Sequence, residues 1–143
     1  MLLGTHEHAL DDKNRLTLPA KLRAAFADGL VMTRELDGCL GAYPRETWLR
    51  RQEQLGDLNT LSASARRLQR FFFTSASEGE LDKQGRVVIP AGLKAHAKLG
   101  RDVVVAGIHD HLEIWDRAAW ERELAEVEGS AEDVAERLAA QRD

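Results

Sequence analysis

The chain has 143 residues, a formal net charge of −4 and one cysteine. Its length suits one compact domain or two small units that share a core. No run approaches the ~20 apolar residues of a membrane span, and residues 1–10 lack the basic and apolar segments of a signal peptide. A single cysteine excludes an internal disulfide, so we expect a cytoplasmic protein without membrane association.

The acidity is concentrated at the C-terminal end. Residues 121–143 contain eight acidic and three basic side chains, whereas residues 1–120 contain sixteen acidic and seventeen basic ones. Because salt screens charges beyond about 8–10 Å, the local sign decides which surfaces attract phosphate. The negative net charge therefore does not exclude a nucleic-acid partner.

In chain order, the first half predicts a strand at 5–10, a polar turn at 11–14, a second strand at 16–18 and a short helix at 20–27. A hairpin at 30–43 and a helix at 44–55 follow. Pro19 favours the start of the short helix. Residues 61–73 carry apolar side chains at helical spacing and predict a linking helix. The second half repeats the order from its strand onward, over residues 87–89, 91–99, 103–115 and 116–127.

The repetition is clearest in a twelve-residue motif, which occurs at residues 11–22 and 82–93. The shared pattern is Asp-x-x-x-Arg, three β-favouring residues, and Pro-Ala-x-Leu. Further matches, such as Trp48 with Trp120, extend the unit to about 45 residues, which is too small for a stable core of its own. We therefore expect two pseudo-symmetric repeats that interlock. The boundaries that we predict are repeat 1 at 5–47, a helical linker at 48–75, repeat 2 at 76–119, and an acidic C-terminal helix or tail at 120–143.

Each Asp-x-x-x-Arg turn has two interpretations. It can be an ordinary charged hairpin, in which the aspartate caps the turn and pairs with its own arginine. Duplication of both polar residues favours a second role, in which the arginine and its neighbouring lysine face outward, because arginine donates paired hydrogen bonds to phosphate and guanine. The candidate DNA-binding residues are Lys13, Asn14, Arg15, Lys21, Arg23, Lys83, Gln84, Arg86 and Lys94. The residues expected to shape the turns and the following helices are Asp11, Pro19, Asp82, Gly85 and Pro90.

Histidine pairs offer a different class of function. His6 with His8, and His109 with His111, have the i, i+2 spacing that places side chains on one face of a strand. The two pairs do not match each other in the repeat, and no repeat-matched carboxylate or cysteine accompanies them, so we expect surface histidines and no metal. Cys39 has no obvious catalytic partner, and no phosphate loop or serine elbow is present. We therefore expect no enzyme, no cofactor and no small-molecule substrate.

The chain resembles the MraZ family. The resemblance rests on the two Asp-x-x-x-Arg phrases, Gly4-Thr5, L-D-D-K-N-R-L-T-L-P-A-K at 10–21, and L-E-I-W-D at 112–116. MraZ proteins are bacterial transcriptional regulators with two tandem SpoVT–AbrB-type domains. The resemblance covers nearly the whole chain except the tail, and the family's motif carries over to Asp11, Arg15, Asp82 and Arg86. Asn14 departs from the glycine that is usual in the family.

This resemblance implies an α+β fold that is mainly a β barrel, in which two repeats exchange hairpins about a pseudo-two-fold axis. It further implies a ring-shaped homo-oligomer at the nucleoid that binds direct repeats in double-stranded promoter DNA. The expected target is the division and cell-wall gene cluster, including the protein's own gene. An alternative is an antitoxin or interaction module, because AbrB-like domains also bind protein partners through a tail such as the one from Glu121.

Overall fold

The computed structural model describes residues 1–142. Within them the fold is α+β, with eight strands, four α-helices and two short 3-10 helices. The strands are β1 (Thr5–Ala9), β2 (Arg15–Thr17), β3 (Leu30–Arg34), β4 (Leu40–Pro44), β5 (Ser77–Gly79), β6 (Arg86–Val88), β7 (Asp102–Gly107) and β8 (Leu112–Asp116). The helices are α1 (Arg45–Gly56), α2 (Ala63–Phe73), α3 (Ala91–His96) and α4 (Arg117–Arg142), and the 3-10 helices are Ala20–Phe26 and Leu36–Gly38.

Six strands form one antiparallel sheet in the order β1-β7-β8-β4-β3-β5. The first strand of each repeat pairs with a strand of the other half, since β1 pairs with β7 and β5 pairs with β3. Strands β4 and β8 join the two halves at the centre of the sheet. The hydrogen-bonded sheet therefore depends on both repeats.

The predicted closed barrel is not observed in residues 1–142. Strands β1 and β5 are the two edges of the sheet, while β2 and β6 pair only with each other in a two-stranded ribbon. The chain turns sharply before each ribbon strand, at Asn14 (φ 58°) and Gly85 (φ 77°), both in the left-handed region. These turns interrupt the ladder between the six-stranded sheet and the ribbon, and strands of three residues are too short to restore it.

The hydrophobic core includes side chains from the ribbon, the 3-10 helix Ala20–Phe26, helix α3 and one face of the sheet. Leu16 and Val87 face each other across the ribbon, and both are buried in this core. Leu30 and Met32 of β3 and Val103 of β7 belong to the same cluster. Because each repeat contributes to one shared core, neither repeat can bury its apolar face alone.

The helices begin where the sequence indicates, but the last one is longer than predicted. Pro19, Pro44 and Pro90 immediately precede helices, as expected for a residue with φ fixed near −65°. Helix α4 runs for 26 residues through Gly129 and contains no buried residue. Its alanine and glutamate residues are strong helix formers, which outweigh one glycine. Among residues 1–142 no helix is both long enough and apolar enough to cross a membrane.

Candidate nucleic-acid interface

The ribbon places the two repeated arginines on one face. Arg15 lies opposite Val88, and Arg86 lies opposite Thr17. Side chains alternate along a strand, and Leu16 and Val87 occupy the buried side of the ribbon. Arg15 and Arg86 are therefore diagonal neighbours on the outer side, a relation that corresponds to about 7–8 Å in antiparallel pairs.

The first aspartate closes its turn with both carboxylate oxygens. Asp11 Oδ1 accepts from the backbone N–H of Lys13 at 2.9 Å and of Arg15 at 2.8 Å. Asp11 Oδ2 accepts from Arg15 Nε at 2.6 Å. The hydrogen bond from the Arg15 backbone N–H is the main reason that the pKa of Asp11 lies below its ordinary value of 3.8. The carboxylate thus serves both as the cap of the turn and as the partner of the arginine.

The second turn has the same geometry. Asp82 Oδ1 accepts from the backbone N–H groups of Gln84 and Arg86, both at 2.9 Å, and Asp82 Oδ2 accepts from Arg86 Nε at 2.7 Å. The backbone N–H of Arg86 is again the main cause of a lowered pKa for Asp82. The predicted capping role of both aspartates is therefore observed.

Both arginines are held in place rather than extended into solvent. Their side chains lie on the outer side of the ribbon but are only 27% and 29% exposed, because each packs against its own turn. Each Nε is bound to its own aspartate, and in residues 1–142 no recorded hydrogen bond engages the Nη groups. A guanidinium fixed through Nε presents its remaining donors with little loss of side-chain entropy on binding.

A basic residue of each repeat contacts the turn of the other repeat. Lys94 Nζ donates to Asn14 Oδ1 at 2.8 Å. At the second turn, the Arg23 side chain lies so close to Gly85 that an added Cβ would overlap it, and Arg23 Nε donates to the Leu18 carbonyl at 2.9 Å. Arg23 and Lys94 are equivalent in the two repeats, since each directly follows the twelve-residue motif. At the first turn, the Asn14 side chain accepts a hydrogen bond from Lys94. At the second turn, Gly85 has no side chain, and the Arg23 guanidinium occupies the space that a side chain would fill.

The remaining predicted residues surround these turns. Lys13, Lys83 and Gln84 are exposed at the turn tips, and Lys21 is exposed on the first 3-10 helix. Val88, which is not among the residues predicted above, is 58% exposed on the outer side of the ribbon. Its place opposite Arg15 in the register is the signal that would identify it. An apolar contact between two arginines suits a surface that meets both backbone and base edges.

The histidines do not form a shared site. His6 and His8 lie on the edge strand β1, whereas His111 stacks on Tyr43 with ring centroids 4.6 Å apart and binds Asp110 at 2.8 Å. Among residues 1–142 no group of three or more His, Cys, Asp or Glu side chains is arranged to hold a metal ion. Cys39 is fully buried, and burial raises the pKa of its thiol, which disfavours the reactive thiolate.

Nearby, a buried carboxylate stabilises the hairpin of the first repeat. Glu35 accepts a hydrogen bond from the Tyr43 hydroxyl and lies 3.6 Å from an Nη of Arg51. Burial is the main cause that raises the pKa of Glu35 above 4.5. An added Cβ at Gly41 would overlap Glu35, so the glycine makes room for this carboxylate.

These features define a class: tandem-repeat α+β proteins whose paired Asp–Arg turns share one ribbon. The family model described as "MraZ protein, putative antitoxin-like" matches the chain twice, at residues 1–71 and 72–142. Proteins named Transcriptional regulator MraZ are similar over nearly their full length. Those of Heliobacterium modesticaldum and Lactiplantibacillus plantarum are each 46% identical over 138 residues, covering 96% of this chain and 96% and 98% of the relatives. That of Roseiflexus castenholzii is 41% identical over 139 residues, covering 97% of both chains. The chain belongs to the MraZ family.

Proposed function

We propose that this protein is a transcriptional regulator that binds double-stranded DNA through the outer side of the β2–β6 ribbon. The observation that carries the proposal is the placement of Arg15 and Arg86 on one face, each oriented by an aspartate through Nε. The names of the relatives agree with a regulatory role. The two arginines read base edges, while the lysines around them contact phosphates.

The shape of the ribbon suits this role. The major groove of B-DNA is about 12 Å wide and admits a two-stranded β-ribbon. Arginine binds guanine O6 and N7 through two parallel donors, and the Nη groups of both side chains are available for such contacts. Lys13 and Lys83 extend from the turn tips beside them. Lys21, Arg23 and Lys94 add positive charge near the ribbon, although Arg23 and Lys94 also brace the turns.

One ribbon offers only a few cationic contacts, so binding by a single chain is weak. We propose that the protein acts as a ring-shaped multimer that presents several ribbons to direct repeats in a promoter. We also propose that its target is the promoter of the division and cell-wall gene cluster. Linked sites raise apparent affinity by about 10²–10⁴-fold when their spacing matches the DNA. Repression then follows from occupation of the promoter.

The test is a comparison of Arg15→Ala, Arg86→Ala and the double variant in binding to DNA from upstream of the gene, by fluorescence anisotropy across a salt series. Loss of a bidentate base contact costs about 1–3 kcal/mol, and loss of a phosphate contact reduces the salt slope by about 0.9. Arg67→Ala is the matched control, because this exposed arginine belongs to α2 and not to the ribbon or its turns. An affinity and salt slope in the double variant equal to those of the control would exclude the ribbon as the interface.

A further inference from the structure

Four side chains form the outer side of the ribbon, in two pairs that face each other across the strands. Arg15 lies opposite Val88, and Arg86 lies opposite Thr17. The backbone hydrogen bonds at the two ends of the ribbon fall on the alternate pairs. Both outer pairs are therefore of the non-hydrogen-bonded kind, in which side chains approach most closely. Each arginine has one β-branched neighbour, whose Cβ atom lies about 4.5–5.5 Å from its own.

The two β-branched neighbours make this surface asymmetric. Thr17 and Val88 are equivalent positions, since each is the third residue of the strand that begins at the repeated arginine. Their side chains have nearly the same shape, but threonine has a hydroxyl in place of one methyl group of valine. Thr17 is half-buried, whereas Val88 is 58% exposed. The ribbon thus presents matching arginines, with a polar group beside Arg86 and an apolar one beside Arg15.

The charges at the two turn tips are also unequal. Asp12 and Lys13 are exposed at the first tip, where their charges balance. The equivalent positions of the second tip are Lys83 and Gln84, both exposed, so that this tip has one uncompensated positive charge. The basic side chain that contacts each turn adds one charge at both tips and leaves the difference unchanged. DNA phosphates therefore attract the second tip more strongly than the first.

We propose that the ribbon binds double-stranded DNA in one direction, with Val88 selecting a thymine beside the base pair that Arg15 contacts. This inference rests on the proposed function and concerns which bases the ribbon distinguishes. Thymine presents a methyl group in the major groove, and an apolar side chain there favours it over the other bases. Base pairs are about 3.4 Å apart, so the closest cross-strand neighbour of Arg15 reaches the base pair next to the one that the guanidinium binds. Thr17 offers a hydroxyl that accepts as well as donates, so the half of the site beside Arg86 is selected less strictly.

Replacement of thymine by deoxyuridine tests the selection, because it removes the C5 methyl group and leaves phosphate charge and base pairing unchanged. The full chain is titrated, by fluorescence anisotropy at fixed salt, with the duplex from upstream of the gene and with the same duplex in which dU replaces every dT. We expect the parent chain to bind the natural duplex about two- to fivefold more tightly for each ribbon bound, which corresponds to the burial of one methyl group. Val88→Ala should bind both duplexes alike, whereas Thr17→Ala, the matched control at the equivalent position, should keep the preference. An effect of uracil on DNA shape alone would persist in Val88→Ala.

Directed cleavage of the DNA backbone tests the orientation. Lys13→Cys and Gln84→Cys introduce a thiol at equivalent positions of the two turn tips, and each thiol is coupled to an iron chelate that cuts nearby DNA. Cys39 is fully buried, so the parent chain serves as the background. A ribbon bound in one direction gives cuts from the two variants that are displaced to opposite sides of the site. A ribbon bound equally in both directions gives the same cuts from both variants.

The outcomes separate this inference from the proposed function. Three results would overturn the inference alone, if the variant that combines Arg15→Ala with Arg86→Ala loses binding. They are equal affinity of the parent chain for the two duplexes, a thymine preference that survives in Val88→Ala, and identical cleavage by the two chelate variants. Binding by the double arginine variant that equals binding by Arg67→Ala would overturn the proposed function and this inference together.

Discussion

The close approach of Arg23 to Gly85 allows the contact between the repeats to be measured. Gly85 has φ +77°, and an added Cβ would overlap the Nε and Cζ atoms of Arg23. A left-handed conformation costs an ordinary residue about 1–2 kcal/mol. Displacement of Arg23 also breaks its hydrogen bond to the Leu18 carbonyl, at about 0.5–1.5 kcal/mol. We therefore expect Gly85→Ala to lower the free energy of unfolding by about 1.5–3.5 kcal/mol.

Urea unfolding followed by tryptophan fluorescence at fixed protein concentration measures this change. Gly92→Ala is the control, because Gly92 lies in α3 with no atom within 4 Å of an added Cβ. Alanine is favoured over glycine in a helix by about 0.5–1 kcal/mol, so this variant is expected to be slightly more stable than the parent. Compared with Arg23→Ala alone, the double variant Arg23→Ala/Gly85→Ala should lose only the free energy of the backbone strain at position 85, because the overlap with Arg23 is gone. Equal stability of Gly85→Ala and Gly92→Ala would show that neither the backbone strain nor the overlap with Arg23 operates at this turn.

Two further predictions concern the core and the buried carboxylate. Leu16 is 0% exposed at the inner side of the ribbon, so Leu16→Ala is expected to cost about 2–5 kcal/mol in thermal unfolding, whereas Leu61→Ala, at 89% exposure, should change stability by less than about 0.5 kcal/mol. Burial raises the pKa of Glu35, so the folded state holds this proton more tightly than the unfolded state, and the resulting stability is lost as pH rises above 4.5 through the raised pKa. Glu35→Gln should therefore gain stability relative to the parent as pH increases through that range, and a pH-independent difference would contradict the assignment.

The sequence predicted the elements that follow from local chemistry. The turns that contain Asn14 and Gly85, the strands after them and the helices after Pro19 and Pro90 are all observed. Each of these features depends on a residue with restricted or permissive backbone geometry. The capping of the turns by aspartate was also predictable, because Asp hydrogen-bonds the backbone two residues onward.

Other features depend on contacts between distant parts of the chain, and the local pattern did not reveal them. Strand β5 is formed by Ser77-Glu78-Gly79, which have weak strand preference, and its pairing with β3 makes it a strand. The open sheet arises because β2 and β6 pair only with each other. The half-buried state of Arg15 and Arg86 follows from ion pairs whose geometry only the folded turn defines.

Each repeat supplies a basic side chain that contacts the turn of the other repeat, so the two turns depend on each other. Lys94, from the second repeat, binds the first turn at Asn14, and Arg23, from the first repeat, covers the second turn at Gly85. The carbonyls of these two turn residues also accept backbone hydrogen bonds at 2.9 Å, Gly85 from Leu18 and Asn14 from Ile89 of the opposite repeat. A single repeat would therefore lack half of its core and also the side chain that braces its turn. The positive surface of the ribbon is a product of both repeats together, so a substitution at Lys94 is expected to disturb the Arg15 turn, and one at Arg23 the Arg86 turn.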